Sequence, residues 1–148
     1  MVLFKFKTHQ SIILSKLICL KGLNYYQGLE FVDIVEDIID LDPKMRFAAI
    51  IDLDGNIVES IMKSGKTSLE SQKEEEHFCR QVAERRHMRH EFDKTLGKVR
   101  YVQVEREKLT QMVTYTKKFT LYFSMEPEMT IEQKLRIVNK IKKMTSHL

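Results

Sequence analysis

The sequence predicts a mixed α/β (α+β) domain with one five-stranded antiparallel sheet and helices over it, in the order α-β-β-α-β-β-β-α. Three observations predict it. Apolar residues recur at helical spacing in three segments and alternate at strand spacing in five. The links within each group of strands are also too short for parallel crossovers, so neighbouring strands must run antiparallel.

The first helix is read from Leu29, because Phe31, Ile34, Val35, Ile38 and Ile39 fall at i, i+3, i+4, i+7 and i+8, and Pro43 closes it. Two strands follow: Phe47, Ala49, Ile51 and Leu53 alternate from Met45 to Leu53, and a second alternation runs through Val58 and Met62. Asp54-Gly55 between them suggests a type I′ hairpin, whose two central positions need positive φ. Ser64 to Ser68 is a polar loop, and Thr67 with Glu70 reads as a capping box opening a long helix to about Leu96, which Gly97 ends. Strands Val99 to Arg106, Thr110 to Thr116 and Phe119 to Met125 come next, joined by the polar turns Glu107-Lys108 and Lys117-Lys118. Thr130 with Gln133 caps a last helix with Ile131, Leu135, Val138 and Ile141 as its apolar stripe and a lysine-rich end suited to the helix dipole.

Composition sets the class. A chain of 148 residues, 43% hydrophobic and 31% charged, is globular and long enough for one ordinary core. Cys19 and Cys79 form neither a disulfide framework nor a CxxC pair, so the cytoplasm is the default location. The formal net charge of +4 arises from Lys5, Lys7, Lys16 and Lys21 in a segment without acids, which leaves the body neutral. No basic stripe for a nucleic-acid backbone is therefore implied. Residues 1–28 read as a basic extension and residues 29–148 as the single domain. Lys16 and Lys21 interrupt the apolar run Ser11 to Leu20, which argues against a membrane span or a signal peptide. Gly22 and Gly28 bracket a break, and deletion of residues 1–28 is expected to leave the fold intact.

Several motifs invite chemistry and are better explained without it. Ser64-Gly65-Lys66-Thr67 resembles the end of a phosphate-binding loop, but Ser60 stands where the first glycine belongs and the preceding strand is part of a hairpin. His77, Cys79, His87 and His90 lie close in sequence, yet Cys79 and His90 are roughly 16 Å apart along a helix, and the reading is of solvent-facing polar residues. Lys117-Lys118-Phe119 with Tyr115, Tyr122 and Phe123 interleaves bases and aromatics, as single-strand binders do; half core and half sheet surface is the favoured reading, and nucleic acid is not. No catalytic residues, metal ligands or cofactor are proposed.

One feature resists a folding explanation. On the long helix, Phe78, Val82, Phe92 and Leu96 form an apolar stripe, and Arg85 and Arg89 fall in its middle. A guanidinium is costly to bury unpaired, so these two must meet carboxylates, with Asp52, Glu59 and Glu105 as candidates, or reach an edge, an anion or a partner.

The element order resembles the roadblock/LC7 and profilin-like group. The stretches Leu41-Asp42-Pro43-Lys44-Met45-Arg46-Phe47-Ala48, Met88-Arg89-His90-Glu91-Phe92-Asp93, Leu96-Gly97-Lys98-Val99-Arg100-Tyr101 and Arg106-Glu107-Lys108 resemble a family of uncharacterised small archaeal proteins, over about Leu29 to Met144. That resemblance implies no catalytic residues. It implies a non-enzymatic homodimeric interaction or regulatory module, with a GTPase-type partner by fold analogy alone. The alternative is a small anionic-ligand sensor using Arg85, Arg89 and Arg106. Dimerisation is expected through the edge strand Val99 to Arg106, with Arg85 and Arg89 bonding Glu105 or Glu107 of the second copy.

Overall fold

The computed structural model describes residues 25–148 of the chain. The expected basic extension therefore falls almost wholly outside the described residues. Helices α1 (Tyr25–Ile39), α2 (Gln72–His90), the single turn α3 (Asp93–Leu96) and α4 (Ile131–Met144) accompany strands β1 (Met45–Asp52), β2 (Ile57–Met62), β3 (Val102–Glu105), β4 (Thr110–Tyr115) and β5 (Phe119–Met125). The five strands form one antiparallel sheet in the order β2-β1-β5-β4-β3. The expected fold class is the observed one.

Layering follows from the two-residue period of the strands. Ala48, Ile50, Met112, Leu121 and Phe123 point to one face, where Phe31, Val35 and Ile38 of α1 and Val138 and Ile141 of α4 cover them. Phe47, Ala49, Ile51, Val113 and Tyr122 point to the other, under Cys79 and Val82 of α2. Both faces of β1 are thus buried, so the expected one-sided alternation is part of a continuous apolar run; Leu53 lies half exposed at the hairpin tip beyond it. A bulge between Met45 and Phe47 turns Met45 to the same face as Ala48. The aromatics of β5 are likewise divided between two covered faces, leaving no open sheet surface at Tyr122 and Phe123.

Local differences from the expected elements have local causes. Gly28 lies buried inside α1 and does not mark a break. At the β1–β2 hairpin, Gly55 alone has positive φ, +90°, so Asp54 does not make a type I′ turn. The Asp52 carboxylate organises the turn instead, accepting from the amides of Asp54 and Asn56 at 3.0 and 2.8 Å. Helix α2 opens at Ser71, not Thr67: Glu74 N–H donates to Ser71 Oγ and Ser71 N–H to Glu74 Oε2, a complete capping box. Its start is delayed because Glu126 draws the preceding loop to the end of the sheet, accepting from Lys66 at 2.6 Å and from Arg46 at 2.8 Å, while Arg46 also donates to Thr67 O. The Gly-Lys-Thr stretch is therefore a structural tether.

At its other end, α2 stops at His90, where Phe92 leaves helical geometry at φ −98° and ψ 0° and His90 Nδ1 pairs with Asp93 Oδ2. Only α3 continues toward Gly97. Phe92 and Leu96 consequently lie 57% and 78% exposed and are not part of the core stripe. On α4 the buried stripe is Lys134, Ile137, Val138 and Ile141, and Ile131 is exposed.

Candidate functional site

Helix α2 buries just three of its residues, Cys79, Val82 and Ala83. Its first turns are acidic, with Glu74, Glu75 and Glu76, and its last turns basic, with Arg85, Arg86 and Arg89, a distribution that complements the helix dipole. Burial, and then the charge of neighbouring carboxylates, raises the pKa of Glu70 and of Glu75 above the usual carboxylate range. Burial, reinforced by the charges of Glu75 and Glu70, pushes the Cys79 thiol up to about 12, so Cys79 is an inert core residue and not a solvent-facing one. His77 meets Gln81, His87 meets the carbonyl of Leu53, and among the described residues no group of His, Cys, Asp or Glu is placed to hold a metal.

Beyond this helix runs the sheet edge. Among the described residues β3 has a neighbour on one side only, β4. Val102 and Val104 of β3 face α2 across a groove of about 240 Å³, and Arg85, Arg89 and Arg106 all line it. Two arginines one turn apart on α2 and a third just past the end of β3 are thus brought to one place. Their internal partners are not the expected carboxylates: Arg85 donates to Gln81 Oε1 at 3.2 Å, Arg89 to Tyr115 OH at 3.1 Å, and Arg106 to Gln111 Oε1 at 2.6 Å. Asp52 is occupied in its own turn, and Glu59 accepts from the amide of Ser60. Glu105 turns to the opposite face, where the ammonium of Lys134 at 2.8 Å, the hydroxyl of Thr110 and the amide of Gln103 all donate to it. The reason is strand parity, since Gln103 and Glu105 alternate with Val102 and Val104.

The α2 arginine that ties the helix to the sheet is Arg86. Its guanidinium donates to the carbonyls of Thr116 and Phe119 at 2.6 and 2.7 Å and to Thr120 Oγ1, and it lies over the Tyr115 ring. It fastens α2 to the β4–β5 turn. The sequence carried a signal for it: with Cys79 as i, the buried positions Val82 and Ala83 are i+3 and i+4, and Arg86 is i+7. The apolar stripe drawn through Phe78, Arg85 and Arg89 is rotated by one residue from the true inner face.

The fold, a five-stranded antiparallel sheet between helices, is roadblock/LC7-like and profilin-like. The structure superposes on the gliding protein MglB of Thermus thermophilus with a TM-score of 0.67 at 11% identity, over 80% of this chain and 87% of that one. A roadblock/LC7 domain from Streptomyces avermitilis matches at 0.54 and 13%, over 74% and 92%, and a Schizosaccharomyces pombe profilin at 0.55 and 13%, over 76% and 94%. Residues 30–147 match the Family of unknown function (DUF6659), and the chain belongs to that family. No curated protein matches it by sequence.

Proposed function

We propose that this chain is a non-enzymatic, cytoplasmic, archaeal interaction module that works as a homodimer joined along β3 and α2. The observation that carries the reading is the sheet edge: β3 has no neighbour beyond it among the described residues, and half-exposed Val104 borders a groove rimmed by Arg85, Arg89 and Arg106. An apolar strand edge of this kind is an aggregation hazard unless paired. Antiparallel pairing with a second copy satisfies the edge and sets the two α2 helices antiparallel, so that the Glu74–Glu76 end of one meets the Arg85–Arg89 end of the other. Of the two strand acids expected at the seam, Glu105 is held by Lys134, which leaves Glu107 of the second copy to join that acidic helix end at Arg85 and Arg89. A GTPase-type partner for the dimer follows by fold analogy alone.

Light scattering at micromolar concentration is expected to give twice the chain mass, and Arg89→Glu to weaken the dimer by setting like charges together. A strictly monomeric mass overturns the reading. The convergence of the three arginines also supports the second reading, a sensor of small anions at the groove, for which an anion raises the melting temperature of wild-type protein but not of Arg106→Gln.

A further inference from the structure

A second cavity lies at the far end of α2. It measures about 650 Å³ and opens between the C-terminal ends of α2 and α4, against the end of β4 and the segment after Gly97. Five Lys and Arg side chains line it, Arg86, Arg89, Lys98, Lys117 and Lys142, against the single carboxylate of Asp93. Asp93 is engaged by His90 at 2.8 Å, and Arg86 by the carbonyls of the β4–β5 turn. Lys98, Lys117 and Lys142 have no salt-bridge partner among the described residues.

Basic side chains are expected near helix C-termini, where each end carries about half a negative charge. Two such ends together offset about one of these cations, so the excess of positive charge exceeds what the helices call for. Thr114 supplies an independent observation. It lines the same cleft, is 2% exposed, and its hydroxyl is the one buried side-chain polar atom among the described residues without a hydrogen-bond partner. A buried hydroxyl left unsatisfied is destabilising, and a fold tolerates it most readily where something else bonds it.

We propose that this cleft binds a small ligand carrying a phosphate or diphosphate group, with Lys98, Lys117 and Lys142 around the anion and the Thr114 hydroxyl donating to it. A phosphate fits this set better than a carboxylate, because several separate cations and a hydroxyl match its greater charge and larger number of acceptor oxygens. The volume is that of a small-molecule site with room for an organic remainder beside the charged group. The proposal does not depend on dimerisation, and its readout is taken at one protein concentration whichever mass the protein has.

The experiment is calorimetric titration of the full chain with inorganic pyrophosphate, with citrate and with sodium chloride at matched ionic strength as controls. Saturable binding of pyrophosphate that exceeds that of citrate is expected. Thr114→Val removes the hydroxyl without removing charge; it is expected to raise the melting temperature of the ligand-free protein and to weaken pyrophosphate binding about tenfold. The pair Lys98→Gln with Lys142→Gln is expected to weaken it further, and Arg106→Gln, in the other groove, to leave it unchanged. Binding that follows ionic strength alone, or that equals wild type in both the Thr114 and the double lysine variants, overturns the proposal. So does loss of binding in Arg106→Gln alone, which would move the anion to the arginine groove.

Discussion

Lys134 is 3% exposed and sits on the buried stripe of α4, while the carboxylate it holds, Glu105, is half exposed at the sheet edge. Removing one partner of such a pair is costly when the charge left behind is buried. Glu105→Gln leaves the Lys134 ammonium without its counter-charge, with the carbonyl of Pro127 still near it, and because Glu105 is half exposed the expected cost is about 1 to 2 kcal/mol. Lys134→Met fills the same space and returns Glu105 to water, with an expected change within about 1 kcal/mol. Denaturant melts of the two variants check the asymmetry; equal losses would contradict it. Glu126 answers a different question, that of pH. Hydrogen bonding from Lys66, and then from Arg46, holds its pKa below the usual carboxylate value. A folded-state pKa below the unfolded one gives stability that is present above the unfolded value and is lost as pH falls through the folded one. Glu126→Gln should therefore lower stability at neutral pH and flatten the loss of melting temperature on acidification, measured from about pH 7 to pH 3. Glu70 and Glu75, whose pKa values are raised, act in the opposite sense and relieve the fold as they protonate.

Among the elements, the β1–β2 hairpin is the most constrained. A Cβ on Gly55 would lie 2.7 Å from the Cα of Arg80 in α2, and the backbone there already stands at φ +90°. Gly55→Ala thus adds left-handed strain to a clash with helix backbone, an expected loss of about 2 to 3 kcal/mol, read by thermal or denaturant melting. How much was legible in sequence differs element by element. The stripe Phe31 to Ile39 stated α1 outright, because a helix packed on one face writes its period directly. The capping box Thr130–Gln133 placed the start of α4 correctly. The same signature at Thr67–Glu70 misled, because the pull of Glu126 on Lys66 and Arg46 comes from the far end of the chain and leaves no local trace. The edge position of β3 and the meeting of Arg85, Arg89 and Arg106 followed from topology, whereas Arg86 escaped notice because Phe78, Phe92 and Leu96 drew the apolar stripe one residue away from the inner face of Cys79, Val82 and Ala83. The cleft around Thr114 was invisible for a related reason: it is assembled from the ends of four separate segments.

For the molecule as a whole, the two layers over the sheet are unequal. Helices α1 and α4 close a large apolar cluster, while α2 covers the other face with three buried side chains, the Arg86 clamp and the close approach at Gly55. Stability is then expected to be distributed unevenly, with the α2 layer opening while the sheet and its other helices stay folded. Amide hydrogens of α2 should exchange with deuterium through this partial opening, well before those of β1 and β5, which wait for global unfolding. Joining two copies along α2 and β3 would close that route, so exchange in α2 should slow as protein concentration rises while exchange in β5 stays constant. On the dimer proposed above, a helix this lightly attached in the single chain would act as a reporter of assembly, its protection tracking how much of the protein is paired.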